Sequence, residues 1–527
     1  MKRTVLVILA LLMLAAASRA GGIVTNANQS AAYVRMLCRD ASTGIDAVYF
    51  NPAGLMLLKK GFHLSVSNQS IWQDRNIKSD YLNLNNKEYI GKIVAPVFPS
   101  VYAAYKFDRF AVSFGFNPIG GGGGAVFDKG LPSFEYSISD LVPSLQSSGV
   151  TGYKTDIYFK GRSVYWGAQL GVSAEVNKNV SIFGGFRVIA ANTTYEGYLR
   201  NNTLIMGSTE IPAVDFIEII RQKYLTGTQQ ATAAIGQFSQ YPADLVMPND
   251  VAASAGLPAG TTFGQAVAIM NQTVQTCNVG AAKAQATKTL LSDQEADVTQ
   301  KGSAITPIFG LNVNLLDQKL NIGFKYEMPV HMKVTNNTKK DVLGGFAPDG
   351  SEITMFPDGE SFYNDMPAMM SIGAAYNVSD KFLVSAGFHT YWDEAADYGK
   401  KLSGEYVDNT DLIDHNFREY ALGLEYKIGK RWLVSAGYLL AQTGVKETYQ
   451  TDLSNSLTSR SGACGLAVNI TPDFQLNVGA MYSVFKDADK NMTHMLGSTA
   501  VPVVETYDKD NMILAIGADI HFGCKGE

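Results

Sequence analysis

From residue 61 onward, apolar residues alternate with small or polar residues over one segment after another. Between residues 163 and 177, for example, Trp166 and Leu170 fall on an apolar parity, whereas Gln169 and Ser173 fall on the other. Because successive side chains of a strand point to opposite faces, this pattern predicts strands with one apolar and one polar face. A soluble sandwich and a membrane barrel both contain such strands, so the alternation alone leaves both folds open.

The number and spacing of the segments distinguish the two folds. They give fourteen candidate strands, and an even number is typical of bacterial outer-membrane barrels. Short turns alternate strictly with long loops along the chain, which is the asymmetry between the two rims of a transmembrane barrel. The candidate strands are residues 61–74, 98–107, 109–117, 163–176, 179–199, 303–316, 319–334, 366–378, 381–393, 415–428, 430–443, 459–470, 473–486 and 509–523.

Aromatic residues support a membrane location for these strands. Trp166, Trp392 and Trp432 lie at strand ends on the apolar parity, where the aromatic girdles of such barrels lie. We therefore expect an all-β transmembrane barrel of fourteen antiparallel strands in the cell outer membrane of a Gram-negative bacterium. The residues expected to face lipid include Val164, Trp166, Leu170, Phe324 and Leu476.

The first sixty residues do not alternate and divide into two parts. Lys2 and Arg3 precede an apolar run that ends in small residues, so we expect residues 1–20 to be a signal peptide cleaved after Ala20. An uncleaved anchor helix would need about 20 apolar residues, and the run is shorter. Residues 21–60 are then expected to fold into the barrel from the periplasmic side as a hatch, because the lumen of a large barrel must be filled or left open.

The remaining residues, 61–527, would form the barrel with one large insertion at 205–300. Phe216, Ile219 and Ile220 recur there at helical spacing, which predicts a helical segment on the extracellular side. The pattern leaves two roles open for this insertion: it shapes a capture site for a ligand, or it only covers the mouth of the barrel.

Composition and charge exclude several function classes. Charged residues make up 17% of the chain and the net charge is -5, so no basic footprint for a nucleic acid is present. The six histidines and four cysteines show no metal-ligand spacing, and we expect no metal and no cofactor. The glycine run 120–124 lacks a following Lys-Ser/Thr, so it is not a phosphate loop. The sequence shows no recognisable catalytic set of Ser, His and a carboxylate, and we do not expect an enzyme.

Several motifs together resemble the FadL/TodX family of outer-membrane transporters for long-chain fatty acids and other hydrophobic compounds. An apolar-Gly-apolar-x-Tyr strand motif, read at 372–376 and followed by a short turn at 379–381, recurs at 422–426 and 478–482. The resemblance rests on the order of these motifs along the chain, together with the exported N-terminus and the fourteen strands. The hatch contributes the residues Asn51, Pro52, Ala53 and Gly54.

The resemblance implies a transport route. In that family a hydrophobic small molecule is captured at the outer loops, a hatch rearrangement releases it, and it leaves sideways through a gap at a kinked third strand. The hatch residues 51–54 would form the gate. The third strand here runs into a Pro-Gly segment, and such residues interrupt strand pairing. A flexible outer loop that starts at Pro118 is the alternative. The residues that would form the lateral opening are Asn117, Pro118, Gly120 and Gly121.

Two cations on the lumenal parity are candidates for binding a ligand carboxylate. Arg187 and Lys325 could do so through charge-assisted hydrogen bonds. The alternative is that they belong to ion-pair networks that brace the lumen.

Two functions are compatible with these patterns. The first is a transporter of hydrophobic small molecules, expected to be monomeric and surrounded by outer-membrane lipid and lipopolysaccharide. The second is a surface receptor or adhesin that binds its target through the large outer loops. A hatch favours the first, because an adhesion barrel has no need of one.

Overall fold

The structure is a computed structural model that describes residues 23–26, 29–347, 350–402 and 405–523, with only the backbone of 122 and 123. The predicted signal peptide, residues 1–20, lies outside the described residues and stays a prediction.

Fourteen antiparallel strands form a closed ring. Each strand pairs with the next along the ring, and the ring closes where the first strand pairs with the last, from Phe62 opposite Phe522 to Ser79 opposite Glu505. The predicted fourteen-stranded barrel is therefore confirmed. The strands are β1 (Gly61–Ser79), β2 (Glu88–Lys106), β3 (Phe110–Phe127), β4 (Gly152–Asn177), β5 (Val180–Met206), β6 (Gln294–Leu315), β7 (Leu320–Glu327), β8 (Met369–Ser379), β9 (Phe382–Tyr391), β10 (Phe417–Ile428), β11 (Trp432–Gln442), β12 (Ser459–Thr471), β13 (Phe474–Phe485) and β14 (Thr499–Phe522).

Several strand bounds differ from the prediction. β2 begins at Glu88, ten residues before its predicted start. β3 continues to Phe127, so of the two alternatives for this segment the flexible outer loop starting at Pro118 is wrong. The predicted strand 319–334 is interrupted, because the chain leaves the sheet after Glu327 and pairs again with β6 only from Val334. Pro329 lies in the break, and a proline has no N–H for the ladder.

Shorter elements lie inside the ring, where Ala31–Val34, Ala47–Phe50 and the 3-10 turn Pro52–Leu57 belong to the N-terminal segment, and in the connections between the strands. The helices are α1 (Ala31–Val34), α2 (Ala47–Phe50), α3 (Pro132–Ser139), α4 (Leu141–Ser144), α5 (Ala213–Phe238), α6 (Asn249–Ser254), α7 (Phe263–Leu291) and α8 (Asn409–Leu412). Single turns of 3-10 helix cover Gln146–Ser148, Asp393–Ala395 and Glu447–Tyr449, and a longer one covers Pro52–Leu57. Four short strands extend the sheet of the ring beyond its fourteen strands: Thr209–Pro212, Lys333–Lys340, Ser361–Tyr363 and Ala488–Leu496. Two separate pairs are Leu343–Phe346 with Glu352–Thr354 and Lys401–Leu402 with Glu405–Tyr406.

The insertion is a helical hairpin of α5 and α7, which pack against each other. The segment between these helices contains Pro242, Pro248 and Pro258 and carries only the short α6. Thr262 caps α7 with a capping box, in which its hydroxyl accepts from the backbone N–H of Gln265. None of the helices in the described part of the chain has both the length and the apolar character to cross a membrane.

Residues 23–26 and 29–58, which we call the hatch, fill the ring from inside. Tyr33, Leu37 and Leu55 are almost fully buried there, and the rings of Tyr33 and Phe50 stack with centroids 5.2 Å apart. The apolar side chains of the strands point outward, away from the hatch. Leu170, for example, is 45% exposed on the outer surface, where lipid replaces water as its surroundings. The hatch therefore has a core inside the barrel, and the barrel has an apolar exterior.

Glycines on the inner face of the wall make room for the hatch backbone. A Cβ added at Gly373 would approach the Cβ of Asp40 to 2.5 Å, and one added at Gly479 would approach the backbone nitrogen of Arg35 to 2.7 Å. Both distances are well inside van der Waals contact. Several of the glycines face one another across neighbouring strands. The wall glycines in contact with residues 31–40 of the hatch, which we call the glycine belt, are Gly323, Gly373, Gly387, Gly423, Gly437, Gly465, Gly479 and Gly517.

The glycine belt generates a prediction about permeability. In Gly437→Val the new side chain meets the carbonyl group of Met36, so the hatch has to move away from the wall. We expect a higher single-channel conductance in planar bilayers. Gly184→Val is the matched control, because a Cβ there meets nothing within 4 Å. Equal conductance of the two folded variants would contradict the close-packed hatch.

Candidate functional site

Asn51 fastens the hatch to the barrel wall. Its Nδ2 group donates to the Oδ1 atom of Asn312 at 2.7 Å and to the carbonyl oxygen of Ser42 at 3.0 Å. Gly54 packs directly on this amide, since a Cβ at Gly54 would lie 2.5 Å from both Asn51 Nδ2 and the Ser42 carbonyl oxygen. One side chain thus holds two parts of the hatch together and binds them to β6.

Pro52 and Ala53 begin the 3-10 turn that follows Asn51 and offer their carbonyl groups to the wall. The Ser173 hydroxyl donates to the Pro52 carbonyl oxygen at 2.6 Å, and the Ser181 hydroxyl donates to that of Ala53 at 2.7 Å. The proline fixes the backbone at the start of the turn. The four sequence-predicted hatch residues therefore lie together at the wall formed by β4, β5 and β6.

A second group of polar side chains surrounds Tyr49. The guanidinium of Arg187 binds the Glu327 carboxylate, and its Nη2 atom also donates to Gln169 Oε1 at 2.7 Å. Lys325 donates to Glu327 Oε1 at 2.9 Å and to the Tyr49 carbonyl oxygen at 2.8 Å. Both cations stand over the Tyr49 ring, 5.2 Å and 4.5 Å from its centroid. The two carboxylate candidates are therefore neighbours that share one carboxylate, and these three side chains together carry one net positive charge.

The third strand separates from the second in the middle of the wall. Ile93 lies opposite Ala125, the next pair is Val101 opposite Phe116, and residues 94–100 and 117–124 do not pair with each other. β3 stays paired with β4 over this stretch, with register shifts around Gly120. The sequence-predicted residues Asn117, Pro118, Gly120 and Gly121 lie in this unpaired stretch, which we call the kink.

Prolines on β2 contribute to the separation. The sequence interpretation missed Pro96 because it treated residues 75–97 as a loop, and it made no use of Pro99 at the start of its predicted strand 98–107. Pro96 and Pro99 both lack the N–H group that a ladder needs. The carbonyl oxygen of Pro96 accepts hydrogen bonds from Asn68 Nδ2 at 3.0 Å and Ser70 Oγ at 2.9 Å, so side chains of β1 hold β2 here. Two prolines three residues apart in an apolar segment were the available signal.

The hatch supplies the backbone partners that β3 lacks at the kink. The Asn26 N–H donates to the Ile119 carbonyl oxygen at 2.8 Å, and the Gly121 N–H donates to the Val24 carbonyl oxygen at 3.0 Å. Gln29 Nε2 also donates to the Pro118 carbonyl oxygen at 2.5 Å. Residues 24–26 thus pair with β3 in place of β2. Composition and periodicity gave no sign of this pairing.

Tyr49 connects the charged group to the kink. Its hydroxyl donates to the Asn26 carbonyl oxygen at 2.9 Å, while its backbone and ring contact Lys325. Burial raises the pKa of the Tyr49 phenol, so the hydroxyl keeps its proton and remains a donor at neutral pH. A chain of direct contacts therefore runs from the cations through Tyr49 to the hatch segment on β3.

A small cavity lies where these groups meet. Its volume is about 20 Å³, room for about one water molecule, and most of its lining is apolar. Ile119 of the kink and Thr25 of the hatch form part of its wall. The lining residues are Thr25, Tyr49, Ile119, Arg187, Ile189, Thr306, Glu327, Met328, Val330, Met366, Pro367, Met369 and Tyr391.

Further buried ion pairs hold the hatch on the opposite wall. Arg35 pairs with Glu425 at 2.5 Å, and His389 lies between Asp40 of the hatch and Glu419 of β10, with its Nδ1 atom 2.7 Å from Glu419 Oε2. Within the described ranges, no three His, Cys, Asp or Glu side chains form a group that could hold a metal ion. These charges act as anchors of the hatch.

The comparisons with known proteins concern both sequence and fold. A family model described as "Outer membrane protein transport protein (OMPP1/FadL/TodX)" matches residues 248–522. No curated protein matches the sequence significantly. The crystal structure of a FadL homologue from Pseudomonas aeruginosa aligns with a TM-score of 0.60 at 14% identity, covering 95% of this chain and 100% of that one. This likeness shows a shared fold.

Two further solved structures are toluene transporters. TodX from P. putida aligns with a TM-score of 0.48 at 12% identity, covering 91% of this chain and 95% of its own. TbuX from Ralstonia pickettii aligns with a TM-score of 0.47 at 16% identity, covering 91% of this chain and 94% of its own.

The Asn51 contacts predict a weakened hatch in Asn51→Asp. A carboxylate there would face the Ser42 carbonyl and Asn312 Oδ1 oxygens without a proton to donate, at a cost of roughly 1–3 kcal/mol. We expect faster amide hydrogen exchange across residues 41–57. Asn177→Asp is the matched control, because Asn177 Oδ1 only accepts, from the Asn179 N–H, and a carboxylate also accepts. Unchanged amide exchange in the Asn51 variant would contradict the inference that the Asn51 side chain holds the hatch to the barrel wall.

Proposed function

We propose a ligand class and an exit route for this chain, which belongs to the OMPP1/FadL/TodX family of outer-membrane transport proteins for hydrophobic compounds. Its place is the outer membrane of a Gram-negative bacterium. The proposed ligand is an amphiphile of the long-chain fatty acid type, and the proposed exit is sideways at the kink into the lipid. The observation that carries this proposal is that Ile119 and Thr25 line the cavity and also belong to the contact between the hatch and β3.

The surplus positive charge beside the cavity supports a carboxylate head group. Arg187 and Lys325 already share Glu327, so their first role is to hold one another and Tyr49 in place. Within this group of three, Glu327 balances one of the two positive charges, and a ligand carboxylate would balance the other. Apolar side chains such as Ile189 and Met369 line the rest of the cavity and suit an alkyl chain.

The size of the cavity requires the hatch to move. A space for about one water molecule does not admit an alkyl chain, so Thr25 and its neighbours have to leave the kink before a ligand enters fully. When residues 24–26 leave, the backbone groups of Ile119 and Gly121 lose their partners and the two wall strands there remain unpaired. Ligand entry and the opening of a lateral path would thus be one event.

A lateral exit is also the favourable one for an apolar ligand. Transfer from the lumen to the bilayer avoids exposing its apolar surface to water, worth about 25 cal/mol per Å². Val94 and Val97 of β2 are more than half exposed beside the kink and present an apolar edge to the lipid.

The exit route predicts a loss of transport when the kink is closed. Replacing Pro118 and residues 120–124 with alternating Thr and Val restores strand-forming residues, so β3 should pair with β2 and uptake of dodecanoate should fall. Two measurements check that the barrel still assembles: protease accessibility at the cell surface, and the difference in gel mobility between unheated and heated protein. Pro502→Thr, in a strand stretch that is already paired, is the matched control. Unchanged uptake in an assembled closed variant would argue for an axial channel.

The ligand class predicts opposite effects of two substitutions. Arg187→Met removes the surplus charge, and Glu327→Gln increases it by one unit. Dodecanoate binding should weaken about tenfold in the first variant and tighten in the second, because a hydrogen bond to a charged group contributes about 1.5–3 kcal/mol. Dodecanol, which has no carboxylate, should bind all three proteins equally in calorimetric titrations. Equal dodecanoate affinity across the series would place the head group elsewhere.

A further inference from the structure

Three lysines from separate elements converge on one outer loop. The ammonium groups of Lys490 and Lys509 donate to the carbonyl oxygens of Gln450 and Asn455 at 2.7 Å and 2.8 Å. The ammonium group of Lys400 lies 3.4 Å from the carbonyl oxygen of Ser454. A carbonyl oxygen satisfies one of the three protons of an ammonium group but carries no compensating charge.

The loop that receives these lysines is fixed by its own hydrogen bonds. Gln450 is buried and closes the loop, donating to the Ser456 carbonyl oxygen at 2.7 Å and accepting from the Ser456 N–H at 3.0 Å. Thr451 and Ser454 exchange two backbone hydrogen bonds between those ends. The carbonyl groups are therefore held in position independently of the lysines.

A fourth cation stands next to this group. Arg75 of β1 lies directly opposite Lys509 of β14 in the strand register, on the same inner face. Its Nε atom is buried and has no hydrogen-bond partner. Within the described residues, Arg75, Lys400 and Lys490 form no ion pair, unlike Arg187 and Arg35 deeper in the lumen. We call Arg75, Lys400, Lys490 and Lys509 the outer cation group.

The two carboxylates beside this group are already engaged by neutral donors. Asp452 accepts from the backbone N–H of Ser133 at 2.9 Å. Glu505 accepts from the hydroxyl groups of Tyr136 and Tyr507 at 2.7 Å and 2.5 Å. Among the described residues, the three cations without an ion pair, Arg75, Lys400 and Lys490, outnumber these two carboxylates by one at the mouth of the barrel.

The burial and the lowered pKa of Lys400 agree with a site that lacks an anion. Its side chain is 9% exposed, and its ammonium group lies 3.8 Å from the centroid of the Tyr449 ring. Burial and the nearby Lys490 lower the pKa of Lys400 to about 7, even though Asp452 acts in the opposite direction. An anion between the two lysines would remove their repulsion and restore the charge of Lys400.

We propose that the outer cation group is a binding site for an oxyanion, a carboxylate or a phosphate group, at the extracellular mouth of the barrel. Converging ammonium and guanidinium groups with open donors are the chemistry that recognises such groups. The site is separate from Arg187 and Lys325, and its existence does not depend on the transport route.

Titration of the purified protein in detergent with inorganic phosphate and with octanoate tests the site. At low ionic strength we expect saturable phosphate binding that weakens at least about tenfold in Lys490→Met and Arg75→Met, since each loses a charge-assisted contact. Lys490→Arg keeps the charge and should bind normally. Lys446→Met is the matched control, because Lys446 lies on the same loop with its charge 3.6 Å from the Asp414 carboxylate.

The octanoate arm distinguishes the two sources of the oxyanion. Octanoate that displaces phosphate from the wild-type protein assigns the site to carboxylate amphiphiles as well, and octanoate that leaves phosphate bound assigns it to phosphate. Absence of saturable binding of both probes to the wild-type protein would overturn the proposal, as would equal binding to the Lys490→Met and Lys446→Met proteins. Loss of dodecanoate uptake in kink variants with intact phosphate binding would separate this site from the transport route.

Discussion

The close approach of the hatch backbone to the barrel wall is the constraint on which the rest of the structure depends. Strands β7 to β14 each bring a glycine to the lumen at the level of residues 31–40, and a Cβ at almost any of them would collide with the hatch. The missing side chains let Asp40 and Arg35 reach the wall. Their ion pairs with His389 and Glu425 follow from that distance. A bulkier wall would leave these charges buried without partners, which is costly.

On the other wall, the same close approach connects the hatch to β3. Backbone groups that a kinked strand exposes need partners, and hatch residues 24–26 supply them. Tyr49 then joins this contact to Lys325 and Arg187, so the charged group, the cavity and the kink form one continuous set of contacts. The hatch therefore fills the lumen and also forms part of the wall. Any movement of residues 24–26 removes backbone partners from β3 where β2 and β3 do not pair.

Prolines mark two of the places where strand prediction from alternation failed. The period of two was sufficient to count the strands and to assign their faces, as Leu170 outside and Gln169 inside show. At Pro329 the apolar pattern continues although the ladder stops, and at Pro96 the strand continues although the pattern is poor. Alternation reports which face a side chain takes, whereas pairing depends on whether a neighbouring strand offers a partner.

The sequence by itself determined the barrel, the two faces of its predicted strands and the separate character of the hatch, because these depend on local periodicity and on the composition of short segments. It also singled out Asn51, Pro118, Arg187 and Lys325. Only the tertiary structure decided that Arg187 and Lys325 share Glu327, and that Val24 to Asn26 pair with Ile119 and Gly121. Lys325 and Glu327 are two positions apart on one strand, but Arg187 lies 140 positions from Glu327, and Val24 and Asn26 lie about a hundred positions from their partners. No periodic pattern encodes a distance of that kind, which is set by the closure of the ring around the hatch.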